Sequence, residues 1–301
     1  MIEKVLVIGS RGFIGRHLMN FYLQDPSVKV FGADVMVDYR EENYFQVSVE
    51  NADFKALFQD HTYSLCVNCS GAASVPDSLK NPARDFVLNT YNVQKILDAI
   101  RLLSPKCRFI NLSSAAVYGN PAALPIQEKQ ALNPVSPYGF HKLYAERLCE
   151  EYHRFFGLDT CSIRIFSAYG EGLYKQLFYD LYRKTISGER IDLFGTGKES
   201  RDFIHVSDIV KVIDLVRKKG TFAGECLNVA NGEEWRIEDV VKIFYSNFSQ
   251  KIDFNFSGKG RKGDPSNWVA DISAIKQLGY SPSVGLEEGL KKYYEWVSKA
   301  E

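Results

Sequence analysis

The chain has 301 residues, 45% apolar and 25% charged, the balance of an ordinary globular protein, which excludes a disordered or fibrous one. Lys plus Arg equals Asp plus Glu at 37 each, so the basic excess of a nucleic-acid binder is missing. No apolar run approaches the length of about 20 residues needed to cross a bilayer, and Met1-Ile2-Glu3-Lys4 leads straight into an apolar segment, so a cytoplasmic protein without leader or anchor is expected.

Val5-Leu-Val-Ile8 reads as a buried strand ending at Gly9. Ile14, Leu18, Phe21 and Tyr22 recur at helical spacing, and Pro26 closes that helix. Val28 to Ala33 is the next strand. A helix near Ala52–Gln59 precedes a strand from Tyr63 to Asn68. Val93, Ile96, Leu97 and Ile100 share one face of a helix predicted over Asp85–Leu103. Cys107 to Leu112 is a strand, Tyr138 to Phe156 a helix, and Asp159 to Phe166 a strand again. Such alternation predicts a doubly wound parallel α/β sheet of the Rossmann type. Past residue 170 the pattern breaks into short strands, helices and glycine-punctuated loops. The expected organisation is a dinucleotide-binding domain over 1–168, rejoined by part of 205–232, and a smaller mixed α/β substrate-binding domain over 169–301. The six cysteines are scattered, and Cys66-Val-Asn-Cys69 lies in an apolar strand with no further ligands nearby, so buried thiols are expected and no metal.

Gly9-Ser-Arg11-Gly12-Phe13-Ile14-Gly15 joins the first strand to the first helix. Glycines there let the backbone turn tightly and approach a pyrophosphate, while the helix N-terminus offers free N–H groups. Asp34 ends the second strand, where an acidic side chain accepts hydrogen bonds from the adenosine ribose. Its charge opposes a 2′-phosphate and favours NAD. Arg11 and Arg40 keep NADP open, since either could reach a phosphate. Tyr138 and Lys142 stand four apart on one helix face. An ammonium about 4 Å from a phenolate is worth roughly 4 kcal/mol at an effective dielectric of 20. That would lower a phenol by about three pH units, into the range of a working acid–base catalyst.

The glycine spacing resembles that of the extended short-chain dehydrogenase/reductase family, the group of nucleotide-sugar epimerases, dehydratases and reductases. Further segments match in order: Gly71-Ala72-Ala73, Asn89-Thr90, Leu112-Ser-Ser-Ala-Ala-Val-Tyr-Gly119, Pro137-Tyr138-Gly-Phe-His-Lys142, Arg201-Asp-Phe-Ile-His-Val-Ser-Asp208, Gly263-Asp264 and Ala270-Asp271. The resemblance implies an enzyme in which Ser114, Tyr138 and Lys142 are catalytic. It also implies that Lys142 touches the nicotinamide ribose and that Ser48-Val49, Gly71-Ala72-Ala73 and Asn89 border the cofactor. Ser113 and Tyr118 would line the sugar pocket, Ser167 would replace an asparagine at the substrate, and Arg201 and Arg261 would clamp a nucleotide diphosphate. Leu177, Phe178 and Tyr182 lie in the segment that folds over base and sugar in the family. Asp202, Asp208 and Asp271 read as structural partners or caps, and His141 as a helix-surface residue.

In the 4,6-dehydratases an Asp-Glu pair follows the serine; here the residues are Ala115-Ala116, which cannot move protons. The reaction expected is therefore NAD-dependent 4-epimerisation of a nucleotide-diphosphate sugar through a 4-keto intermediate. An NAD(P)H-dependent 4-keto-6-deoxy sugar reductase is the alternative, and a non-catalytic dinucleotide sensor ranks below both. Family analogy and the aromatic content of the second helix predict a homodimer through 85–103 and 138–156.

Overall fold

In the computed structural model, residues 2–38, 42–48, 51–260, 263 and 265–299 are described. The chain begins with β1 (Glu3–Ile8), α1 (Phe13–Leu23), β2 (Val28–Asp34), β3 (Tyr44–Gln46), α2 (Ala56–Gln59) and β4 (Leu65–Asn68). Then come α3 (Val75–Lys80), α4 (Pro82–Phe86), a π-helical turn over Val87–Tyr91, α5 (Asn92–Leu103) and β5 (Arg108–Ser114). A 3₁₀ turn, Ala115–Val117, leads toward α6 (Pro137–Phe156) and β6 (Thr160–Ile165).

These strands form one parallel sheet in the order β11-β6-β5-β4-β1-β2-β3, with β11 (Ala223–Val229) arriving from far along the chain. The strands read as unbroken apolar runs because both faces are covered. Val5 and Val7 of β1 face a layer with Leu18 and Tyr22 of α1 and Ile209, Ile213 and Val216. Leu6 and Ile8 face the other layer, with Ile96, Leu97 and Ile100 of α5 and Ala145 and Cys149 of α6.

Between β6 and β11 lie β7 (Ser167–Tyr169), α7 (Gln176–Ile186), β8 (Asp192–Leu193), β9 (Ser200–Arg201), β10 (Phe203–His205) and α8 (Val206–Lys219). After β11 come β12 (Trp235–Arg236), α9 (Ile237–Tyr245), β13 (Asn255–Phe256), α10 (Ser273–Gln277) and α11 (Leu286–Val297). The short strands pair as β10-β7, β12-β9 and β13-β8, outside the main sheet. Tyr169, Phe178, Tyr182, Phe244, Leu290 and Tyr293 build a separate aromatic-rich core there.

Two helices differ from expectation. The helix expected over Asp85–Leu103 is three pieces, α4, the π turn and α5, because Pro82 opens α4 and the wider turn inserts before α5. The helix expected from Ala52 is a single turn from Ala56. Helix α6 is closely bounded. Ser136 accepts a hydrogen bond from the Gly139 N–H, Pro137 opens the first turn, and Gly157 at φ 66° ends it in the left-handed conformation. Among the described residues no helix is long and apolar enough to cross a membrane.

Candidate active site

The strand order reverses between β1 and β4, so the loops leaving their carboxyl ends flank a crevice, the usual ligand position in such sheets. Gly9 follows β1 at φ 80°, and a β-carbon there would strike the Ser70 backbone nitrogen at 2.6 Å. One on Gly15 would lie 2.1 Å from the Gly9 carbonyl oxygen. Glycine is required at both positions, because the first turn of α1 packs directly on the loop. Gly12 caps α1 in an extended conformation, and Phe13 and Ile14 pack inward against the aromatic core and the first sheet layer.

The Asp34 carboxylate accepts from the Arg11 N–H (2.8 Å) and the Val35 N–H (2.7 Å), tying β2 to the glycine loop. The Arg11 guanidinium is paired with Asp38 (2.5 Å) and lies 4.9 Å over the Tyr44 ring. Ser48 is exposed just past β3 and accepts from the Asn51 N–H. Val49, Arg40, Arg261 and Asp264 lie outside the described residues.

Across the crevice, Gly71 (φ 117°) abuts the Asn89 side chain, with Ala72 and Ala73 continuing the loop. Asn89, in the π turn, is 1% exposed, and neither its Oδ1 nor its Nδ2 has a hydrogen-bond partner among the described residues. A buried amide left unsatisfied is costly, and π turns recur at functional sites. The two glycine loops and this unsatisfied amide fit a dinucleotide lying across the carboxyl ends of β1 and β4.

At the end of β5 the Ser114 hydroxyl faces the Tyr138 hydroxyl, near enough to draw the phenol's titration down, and it accepts from the Ala116 N–H (3.2 Å). Lys142, one turn along α6, is 7% exposed and donates from Nζ to the Leu112 carbonyl (2.9 Å). Burial pushes the Tyr138 phenol up to about 12, against the pull of Ser114, and the Asp85 carboxylate adds to the rise. Burial pushes Lys142 down to about 8, opposed by Asp85 and then by Cys69 and Glu146. The expected lowering of Tyr138 by Lys142 is thus absent from this arrangement. The ammonium sits 6.0 Å from the ring centroid and is held on a strand carbonyl.

Three other expectations need correction. Tyr118 is fully buried, donating to Asn228 Oδ1 (2.7 Å) and accepting from Arg164 (2.8 Å), so it is core rather than pocket wall. Ser113 is buried and donates to Glu146 (2.5 Å); neighbouring strand positions face opposite sides, which turns it away from the Ser114 side. His141 is buried, its Nδ1 2.5 Å from the Asp85 carboxylate, rather than on the helix surface. Phe178 and Tyr182 are also core.

Ser167 opens β7 half-buried, its N–H donating to the Asp202 carbonyl. Arg201 donates to the carbonyls of Ser200, Ser266 and Pro265, bracing the segment that follows Gly263. Asp202 accepts from the backbone N–H groups of Asn231, Gly232 and Ala270, Asp208 from Ser283 and Val284, and Asp271 from Ser273. The residues that sequence reasoning missed are Asp85, Glu146 and Arg164. Arg164 donates twice to Glu146 (2.9 and 2.8 Å), locking β6 to α6 behind Tyr138 and Lys142. Among the described residues no cluster of His, Cys, Asp or Glu could hold a metal ion.

The fold and this constellation define a dinucleotide-dependent enzyme. Residues 5–230 match the model of the NAD dependent epimerase/dehydratase family, and the chain belongs to that family. It is 31% identical to the uncharacterized UDP-glucose epimerase YtcB of Bacillus subtilis, over 98% of both chains. It is also similar to the solved UDP-glucuronic acid 4-epimerase of Bacillus cereus in complex with UDP-glucuronic acid and NAD (27% identity, 99% of this chain and 100% of that one, TM-score 0.91). The UDP-N-acetylglucosamine 4-epimerase of Methanobrevibacter ruminantium, in complex with UDP-N-acetylmuramic acid, gives 26% identity, TM-score 0.89 and full coverage of both chains. The family read from the sequence motifs is the family found.

Proposed function

We propose that this enzyme interconverts UDP-sugars at C4 with NAD as cofactor. The observation that carries the reading is the Ser114–Tyr138 hydroxyl pair at the carboxyl end of β5, with Lys142 one helical turn away and alanines where an eliminating acid and base would stand. The relatives named for 4-epimerisation support it. NAD held across the carboxyl ends of β1 and β4 would supply the reversible hydride acceptor for C4 of the sugar. Tyr138 accepts the 4-hydroxyl proton through its Oη as the carbonyl forms, and gives it back as the carbonyl is reduced. Ser114, beside Tyr138 at the end of β5, orients the sugar hydroxyl toward the phenol. Lys142 supplies positive charge beside the phenol once drawn off Leu112. Tyr138 is protonated in the free protein, so its activation depends on charge assembled around it in the loaded site. The residues beyond 168 mainly close over the nucleotide sugar, and Arg201, together with Ser167 just before them, lies on its polar side.

The enzyme works as a cytoplasmic homodimer through α4 to α6. Phe86, Tyr91, Phe140 and Tyr144 expose between 40% and 48% of their surface there, on elements that pack against one another. Light scattering showing a stable monomer refutes the dimer.

The activity test is incubation with UDP-glucose, UDP-N-acetylglucosamine and UDP-glucuronic acid without added nicotinamide. The C4 epimers are expected, and Tyr138→Phe should keep substrate binding but lose turnover by about a hundredfold or more. Consumption of a 4-keto-6-deoxy nucleotide sugar only with added reduced cofactor would make the enzyme a reductase instead.

A further inference from the structure

The adenosine end of the crevice carries two opposed signals. Asp34 suits the free hydroxyls of an NAD ribose, whereas an arginine beside it is the group that accommodates a 2′-phosphate. Arg11 is placed there by its own backbone, because its N–H donates to Asp34 Oδ2 (2.8 Å). Taken alone it would speak for NADP.

The guanidinium is already engaged. Its Nη2 meets Asp38 Oδ2 at 2.5 Å, and Cζ lies 4.9 Å over Tyr44. Tyr44 is in turn anchored by donating its hydroxyl to the Met36 carbonyl. The segment after β2 therefore folds back under Arg11 and presents a carboxylate to it from the side and an aromatic face from below. The pair lies at the rim, with the Arg11 and Asp38 side chains 29% and 31% exposed.

We propose that Asp38 is a cofactor-selectivity residue: by holding the Arg11 guanidinium against its own carboxylate, it denies that cation to a 2′-phosphate and keeps the site selective for NAD. The inference rests on the NAD-binding reading above and adds a residue to it. A 2′-phosphate would have to break the Arg11–Asp38 pair, and the released carboxylate would then repel it. An NAD ribose needs neither change, since Asp34 receives its hydroxyls.

The test is titration of nucleotide-free protein with NADH and NADPH, read as energy transfer from protein aromatics to the nicotinamide. Wild type, Asp38→Asn, Arg11→Ala and the double variant are compared. Wild type should bind NADH in preference to NADPH. Asp38→Asn should tighten NADPH by about tenfold, the worth of one charge-assisted hydrogen bond, with the NADH affinity changed by less than about threefold. The gain should vanish when Asp38→Asn is made on the Arg11→Ala background. An unchanged NADPH-to-NADH ratio in Asp38→Asn overturns the proposal. So does a gain that survives without Arg11, since Asp38 would then act only through space. Wild type binding both nucleotides equally also overturns it. Wild type binding neither removes the cofactor reading itself, a different result from binding without selectivity.

Discussion

Gly15→Ala probes the contact on which the cofactor loop is built. In an ordinary helix this change stabilises by about 1 kcal/mol, because alanine is the better helix former. Here the new β-carbon would lie 2.1 Å from the Gly9 carbonyl oxygen and 2.9 Å from its carbon, the first more than about 1 Å and the second more than about 0.5 Å inside contact distance. Neither atom belongs to a side chain that could swing away. The Gly9 carbonyl also accepts from Gly12 (3.1 Å), and the Gly9 N–H is bound to Ala33 (2.7 Å), so the loop is pinned on both sides. Overpacking costs about 1–3 kcal/mol; the upper end, less the propensity gain, gives a net loss of about 2 kcal/mol. Moving the loop also withdraws its N–H groups from a pyrophosphate, and one lost bond to a charged acceptor weakens NAD binding by about 10- to 100-fold. Urea unfolding and NADH titration measure the two effects. Gly12→Ala is the stability control, since its β-carbon would meet nothing closer than 3.2 Å and its φ of −69° suits any residue. If Gly15→Ala matches wild type in both assays, or the two variants lose equal stability, the steric reasoning is wrong.

Glu146→Ala should cost about 3–5 kcal/mol in urea unfolding, because it leaves the buried Arg164 guanidinium unpaired; a loss below about 1 kcal/mol would contradict the role given to that pair. In the cofactor-free protein, the tyrosinate absorbance that Tyr138→Phe removes should not develop below about pH 10. Burial raises the folded value to about 12, so the stability this group contributes is full below pH 10 and lost as pH climbs toward 12. A Tyr138 phenolate near neutrality in the free protein would refute this. Lys142 carries the opposite sign of charge, and its folded value is lowered to about 8 from 10.5. Its burial cost is therefore full below pH 8 and relieved as pH rises to 10.5, so wild type should gain stability over Lys142→Met across that window. A stability difference that is flat with pH there would contradict the burial of its charge.

The cofactor loop was legible because its demand falls on the backbone: glycine spacing between a strand and a helix states where two chain segments touch. Tyr138 and Lys142 were legible because one helix carries both. What escaped was pairing across distant elements. Asp85 and His141 are 56 residues apart and meet only where α4 packs on α6. A signal did exist, since His141 shares a face with Ala145, Cys149 and Tyr152, all buried. Tyr118 and Ser113 were misplaced for a related reason. A polar residue at a strand end suits a pocket or an internal network equally well, and only Arg164, Glu146 and Asn228 decide between them. The π turn left no trace in the apolar spacing, because Val93 to Ile100 keep helical period beyond it.

The route of the chain into β11 has a consequence for synthesis. By the time β6 has left the ribosome, six of the seven sheet strands exist, but the edge of β6 stays unpaired until Val229 follows. Over the same interval Val5, Val7, Leu18 and Tyr22 wait for Ile209, Ile213 and Val216 to cover them. A nascent chain of this protein therefore carries an open strand edge beside an uncovered apolar face, the pairing that invites association with other chains. The span from β7 to α8 sets how long that exposure lasts, so insertions there would burden folding in the cell even if the finished enzyme tolerated them.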